Sequence, residues 1–178
     1  MSKEGSFTPM IIIMVLSLLI ASFWNSVPII KNSAGAILNP TAGALLNWNI
    51  TYGMILIIAL LSLITTIIQK YATDQKTLRE MKDEQKKINE EAKKFKDNPE
   101  KMMEMQKESM KFMMPMMKLS TRALAFTGIP FILFIRWFND FFTIVGDFRF
   151  FGFMSWFWIY LLGSIIFSSI FRKILKVV

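Results

Sequence analysis

KYATDQKTLREMKDEQKKINEEAKKFKDNPEKMMEMQKESMKFMMPMM, residues 70–117, is the stretch that decides the fold. Between Lys70 and Lys111 it carries twelve Lys/Arg and ten Asp/Glu, so 22 of the 34 formal charges of the chain lie in one block. Its apolar positions follow a heptad. Leu78, Met81, Ile88, Ala92 and Phe95 fall at a and d spacing with Gln85 in the remaining slot; Met103, Met110, Met113 and Met117 continue the alternation, with Gln106 as the exception. The break between the two runs is Asp97-Asn98-Pro99-Glu100, where Asn98 suits an N-cap, Pro99 the first helical position and Glu100 the N-terminal dipole. The pattern predicts an antiparallel coiled-coil hairpin over residues 71–112, with arms of roughly 30 Å at about 1.5 Å per residue. It reads either as a solvated spacer or as a docking arm. Near-balanced charge and the lack of an aromatic or Arg-rich stripe argue against sequence-specific nucleic acid and leave the ribosome as a candidate partner of the hairpin.

What surrounds this block is unlike a soluble domain. The 178 residues are 53% hydrophobic and 14% aromatic, with a mean hydropathy of +0.42, which makes the chain an integral membrane protein in contact with the lipid bilayer. A helix crosses about 30 Å of hydrocarbon with roughly 20 residues. Residues 50–69 and 153–171 meet that length without a charge, and residues 116–137 meet it with Lys118, Arg122 and Arg136 near the ends, where long cations can snorkel. Residues 10–24 hold only about 15 solidly apolar positions, a length shared by a signal-peptide core, a short anchor and an interfacial helix; an uncleaved segment is expected. The expected fold is an all-α membrane protein: a three-helix transmembrane core, a cytoplasmic antiparallel coiled-coil hairpin and an extra N-terminal apolar segment. Its parts are residues 1–45 (N-terminal apolar segment and external loop), 46–70 (first core span), 71–112 (hairpin) and 113–178 (second and third core spans with a short tail).

Lys and Arg crowd the hairpin and the tail (Arg172, Lys173, Lys176), whereas the loops at 31–49 and 138–152 hold only Lys31 and Arg149. The positive-inside rule therefore predicts a multi-pass protein of the plasma membrane with hairpin and C-terminus in the cytoplasm.

Polar residues inside the spans form stripes. Ser62, Thr65, Thr66 and Gln69 recur at i, i+3, i+4 and i+7; Tyr160, Ser164, Ser168 and Arg172 recur every fourth residue; Lys118, Thr121 and Arg122 open the middle span. Nearly all fall in the half of the bilayer nearest the hairpin. Small hydroxyl residues also serve simple helix packing, and Ser164/Ser168 is a small-xxx-small pair. Packing alone gives no reason for three stripes to stop near mid-membrane, whereas a polar groove open to the cytoplasm and to lipid does. The expected groove residues are Ser62, Thr65, Thr66, Gln69, Thr121, Arg122, Ser164 and Ser168. Met110, Met113, Met114, Met116 and Met117 form an adaptable apolar surface for clients, since a coiled-coil seam uses only every third or fourth of them.

The absence of Cys and His removes disulfides, thiolate and imidazole metal sites and any triad with an imidazole base. Asp140 and Asp147, the only carboxylates of the apolar C-terminal half, fall in the stretch expected to be a loop. No enzyme, metal or cofactor is expected.

The order of parts resembles the YidC/Oxa insertase superfamily: span, hairpin, Met-rich return into the membrane and two further spans. Thr127-Gly128-Ile129-Pro130-Phe131-Ile132-Leu133-Phe134 is similar to the proline-containing stretch of that family's second core span, and Met113-Met114-Pro115-Met116 to the start of the same helix. The likeness covers about residues 45–175 and is nearest to small archaeal members related to the third subunit of the endoplasmic-reticulum membrane complex. It implies an insertase and chaperone that admits polar parts of nascent membrane proteins into the groove, alone or with another membrane subunit. Bacterial relatives carry a groove arginine in the first core span; this chain has none there, and Arg122 is the cation placed to substitute. Two other classes stay open: an oligomeric ion-conducting protein whose stripes line a pore, and a passive coiled-coil scaffold.

Overall fold

The computed structural model describes residues 8–95, 98–146 and 148–177, and within these the side chains of Pro9, Met10, Arg122, Leu124 and Ala125 are not described. The described residues are helical almost throughout, in the order α1 (Thr8–Phe23), α2 (Pro28–Leu38), a π turn (Asn39–Gly43), α3 (Ala44–Trp48), α4 (Ile50–Ala72), α5 (Gln75–Ala92), a 3₁₀ turn (Lys93–Phe95), α6 (Pro99–Val145) and α7 (Trp156–Leu175). α4, α7 and the Phe126–Val145 part of α6 are long and apolar enough to cross a membrane. The N-terminal segment is bent by 97° between Ile11–Phe23 and Pro28–Trp48. This is an all-α membrane protein.

Local chemistry sets the boundaries. Asn49 caps α4 by accepting the Tyr52 amide at 3.0 Å, Asp74 caps α5 through the Thr77 amide at 3.1 Å, and Asn98 caps α6 through the Lys101 amide at 3.2 Å. Pro99 fills the first turn of α6, as its missing N–H allows. α6 then runs for 47 residues without a break, about 70 Å at 1.5 Å per residue, so the second hairpin arm and the middle span are one rod. Pro115 and Pro130 lie inside it.

Two expectations about this helix change. Its C-terminal end was expected near residue 137, with a loop beyond. The helix instead continues to Val145, because Asp140, the residue that reads as a loop signal, has partners: it accepts the Trp24 indole N–H at 2.8 Å and pairs with Lys31 at 2.8 Å. The register of the second arm also differs. Met103, Met110, Met113 and Met117 are exposed, whereas Met105, Ser109, Phe112, Met116 and Leu119 are half-buried or buried. The second set keeps the same three-four spacing one face round the helix and meets α5, whose Leu78, Met81, Gln85, Ile88 and Ala92 turn inward. Gln85 donates across the pair to the Ser109 carbonyl at 3.4 Å.

α4 and α7 run parallel in close contact: Gly163 abuts Ile58, and eleven residues below Ile58, Gln69 meets Arg172. α1 runs parallel to α6, since Ile13 lies against Gly128, the Ala21 carbonyl accepts from Arg136 and Trp24 reaches Asp140. The main core sits at the end of the bundle far from the hairpin, built from Trp24, Leu46, Met54, Ile58, Trp137, Phe138, Phe142, Phe150 and Tyr160. There α6 and α7 meet through rings: Phe142 stacks on Trp156 and Phe138 lies against Trp156 and Tyr160. The loop after α6 closes this end by folding Phe150 inward, its N–H bonded to the Met154 carbonyl.

Candidate functional site

At the hairpin end the packing changes character. The inward face of α4, apolar from Met54 to Ile58, becomes Ser62, Thr66, Gln69 and Thr73. The hydroxyls are tied back along their own helices: Thr66 donates to the Ser62 carbonyl at 2.6 Å, Thr65 to Leu61 at 2.7 Å, Thr73 to Gln69 at 2.5 Å. Such bonds use the one donor each hydroxyl has and leave its oxygen lone pairs as acceptors.

Below them four helices line a half-open cavity of about 220 Å³ formed by Gln69 and Thr73 (α4), Gln75 and Leu78 (α5), Ser120 and Ala123 (α6) and Arg172 from α7, together with Val177; Ser120 and Arg172 are exposed. Arg172 Nη2 donates to Gln69 Oε1 at 2.9 Å, a polar link between the two parallel spans. The Gln75 amide donates to the Gln69 carbonyl at 3.0 Å and also to the Thr73 hydroxyl, which fastens the α4–α5 corner. Beneath, the chain turns back at Lys176, whose carbonyl accepts from Arg79 at 3.0 Å, and Val177 donates its N–H to Arg172 at 2.9 Å. Among the described residues the lining holds one cation and no carboxylate.

Of the residues the sequence singles out, Gln69 lines this cavity. Ser62 and Thr66 are buried directly above it on the same face of α4, and Thr65 is half-buried. Ser164 and Ser168 are half-buried and share their face of α7 with Tyr160, which meets Phe131 and Phe138 of α6; they look toward α6 above the cavity. Thr121 is buried but stands elsewhere. At about 100° per residue it lies about 200° round α6 from Ala123, and its seven-residue offset from Gly128 puts it on the side packed by α1. The side chain of Arg122 is outside those described. Met110, Met113, Met114 and Met117 are each at least half exposed and Met116 is half-buried, so an apolar strip runs along α6 toward the membrane.

The sequence profile described as "Integral membrane protein EMC3/TMCO1-like" matches residues 36–177. The chain belongs to this family. The EMC3/TMCO1-like family is part of the YidC/Oxa insertase superfamily, which accords with the resemblance seen in residues 45–175. No curated protein and no solved structure matches the chain. The matched segment of this EMC3/TMCO1-like chain runs from α2 to the C-terminal turn and includes the whole cavity and the hairpin. Sequence reasoning did not single out Thr73, Gln75, Ser120 and Val177, which line the cavity. Thr73 and Gln75 lie outside the span, where a search for intramembrane polarity does not look. Arg172 was visible as the last member of its stripe.

Proposed function

We propose that this EMC3/TMCO1-like protein is an insertase and chaperone for nascent membrane proteins, acting through a cytoplasm-facing groove whose floor is the Gln69–Arg172 cavity. Family membership supports a role of this type. The observation that carries the specific reading is the polarity gradient along one bundle: stacked rings at one end, and at the other hydroxyls, amides and an arginine around a cavity. A charge at the bilayer centre costs roughly 2.5–3.5 kcal/mol on insertion scales. Acceptor oxygens on Thr65, Gln69 and Ser168 and donors on Arg172 replace part of the hydration lost by a polar client segment, which shortens the dry path to the thickness of the aromatic end. The neighbouring apolar segment of the client meets the exposed methionines, whose unbranched side chains adapt to varied sequences, and leaves sideways into lipid. Lys and Arg at the hairpin and tail support placing them in the cytoplasm of a cell with this protein in its plasma membrane. The order of the parts also resembles that of the small archaeal YidC-like proteins. The hairpin offers a docking arm for the ribosome, and another membrane subunit is a further candidate partner.

The test is site-specific photocrosslinking to a ribosome-bound nascent membrane protein, with the probe at Gln69 or Met114 and a control at Ile144, which is 87% exposed at the far end. Adducts from Gln69 and Met114 but not from Ile144 support the reading. Equal yields at the three positions would remove it.

A further inference from the structure

The cavity contains an unbalanced charge. Its lining pairs Arg172 with neutral Gln69, Thr73, Gln75, Leu78, Ser120, Ala123 and Val177, and among the described residues no carboxylate forms an ion pair with Arg172, the Lys31–Asp140 and Lys86–Glu90 pairs lying elsewhere. Asp74, the nearest acid in sequence, is exposed and already accepts from the Thr77 amide and hydroxyl. A guanidinium has five N–H donors in a planar fork, and the Gln69 contact uses one of them. Lys70 in the last turn of α4, Lys173 in that of α7, and Lys176 beyond it add positive charge at the same helix ends. The site asks for an oxyanion.

Its depth says where the oxyanion comes from. Gln69 and Arg172 each stand three residues before the end of a helix long and apolar enough to span a membrane, about 4.5 Å inside the last residue at 1.5 Å per residue, so a bilayer surface that meets these helix ends sets the pair among lipid headgroups. Ile165 and Leu161, two and three turns before Arg172 on the same face of α7, are 58% and 37% exposed, so apolar surface beside the cavity is available to acyl chains.

We propose that this cavity binds the phosphodiester headgroup of one anionic phospholipid from the hairpin-side leaflet, held by the Arg172 fork with its acyl chains along Ile165 and Leu161. This goes beyond insertion of clients, since the lipid would occupy the resting protein. In such a site a client anion would have to displace the lipid to reach the arginine.

The full chain, purified in mild detergent and mixed with phosphatidylglycerol or phosphatidylcholine, is read by native mass spectrometry. One phosphatidylglycerol per chain is expected to persist where phosphatidylcholine does not. R172Q is expected to lower that retention about tenfold, the value of one charge-assisted hydrogen-bonded contact. K173Q makes the same change of net charge one residue away and is expected to leave it nearly intact, and R172K, which keeps a cation, to preserve most of it even if R172Q folds poorly. Equal retention of the two lipids, or equal loss in R172Q and K173Q, would overturn the proposal in favour of general surface charge. Displacement of phosphatidylglycerol by millimolar inorganic phosphate would overturn it in favour of a free-anion site. If no lipid is retained while nascent-chain crosslinks near Gln69 depend on Arg172, the cavity belongs to the client alone.

Discussion

Substituting Gly53 by Ala tests whether α4 is held in place by backbone contact rather than by side-chain packing. A Cβ at this position would lie 2.3 Å from the Leu45 carbonyl oxygen, 2.6 Å from its carbon and 3.0 Å from the Leu46 nitrogen. All three are main-chain atoms of α3, so no rotamer change relieves the overlap and the two helices must separate. Gly163 offers an internal comparison: its Cβ would meet only the Ile58 side chain, at 3.1 and 3.2 Å, which can yield by a few tenths of an ångström. Replacing a helical Gly by Ala favours the helix by roughly 0.5–1 kcal/mol, while overpacking costs typically 1–3 kcal/mol and more when nothing can move. G53A is therefore expected to lose about 1–2 kcal/mol net and G163A to stay within about 0.5 kcal/mol of the parent. For a chain of this size that corresponds to a midpoint lowered by about 3–8 °C for G53A, read from intrinsic fluorescence of the five tryptophans on heating in detergent. G53A as stable as the parent, or less affected than G163A, would refute the close backbone contact at the α3–α4 corner.

At the far end, Asp140→Ala leaves the indole N–H of Trp24, a residue 1% exposed, without its acceptor and is expected to cost about 1–3 kcal/mol; Asp140→Asn keeps an acceptor, loses only the half-exposed Lys31 pair and should cost under about 1 kcal/mol. Equal melting points for the two would show that the ion pair, not the buried N–H, is what counts. At the tail, the lack of cysteine lets V177C report alone on the turn fastened by Arg79: adding R79A should raise its labelling rate by a water-soluble thiol reagent several-fold, and an unchanged rate would mean the turn holds without it. At the start of α5, hydrogen bonds from the Thr77 amide and then its hydroxyl hold the Asp74 carboxyl below its ordinary value of 3.8. A depressed folded value means the cap contributes above 3.8 and is lost as pH falls through the lower folded value. Hydrogen-exchange protection at Thr77 and Leu78, corrected for intrinsic rates, should stay flat from neutral pH to about 4 and decline below it. The same decline in D74N, which cannot titrate there, would assign it to another group.

How much of this was legible in the sequence depends on which interaction fixed each feature. The three spans and the hairpin break were readable, because hydropathy over twenty residues and the Asn98-Pro99-Glu100 cap act locally. The register of the second arm was not. With Met at 102, 103, 105, 110, 113, 114, 116 and 117, more than one face of the helix satisfies an apolar three-four repeat, and the choice falls to Ser109 and Phe112, which fit against Gln85 and its neighbours on α5. The end of α6 was likewise hidden: Asp140 suggests a loop until Lys31 and Trp24, more than a hundred residues earlier, arrive beside it. The polar stripes of α4 and α7 were readable as periodicity, and one residue of each, Gln69 and Arg172, is joined to the other by a hydrogen bond. Which side of α6 faces them was not, since Thr121 and Ser120 differ by one position and about 100°, and only the placement of α1 against Gly128 assigns Thr121 to the other side.

The continuity of α6 has a mechanical consequence for a protein of this family. One rod carries the outer hairpin arm, the exposed methionines, the Ser120–Ala123 wall of the cavity and the aromatic end. Pro115 and Pro130 each remove one backbone donor, which leaves the carbonyls of Lys111 and Phe126 without their usual intrahelical partners and softens the rod at two points. These points bracket the cavity wall. A displacement of the hairpin, such as engagement by a partner would produce, therefore bends α6 on either side of Ser120 while the ring contacts of Phe138 and Phe142 with Trp156 and Tyr160 hold the far end fixed. α6 and α7 are joined mainly through those rings rather than along their length, so the hairpin-side half is the part free to separate, and the gap would open between the α7 face bearing Ser164 and Ser168 and the α6 face they look toward. On the proposed function the groove would then depend on how α6 moves relative to α7, while Gly163 and the Gln69–Arg172 bond join α4 to α7.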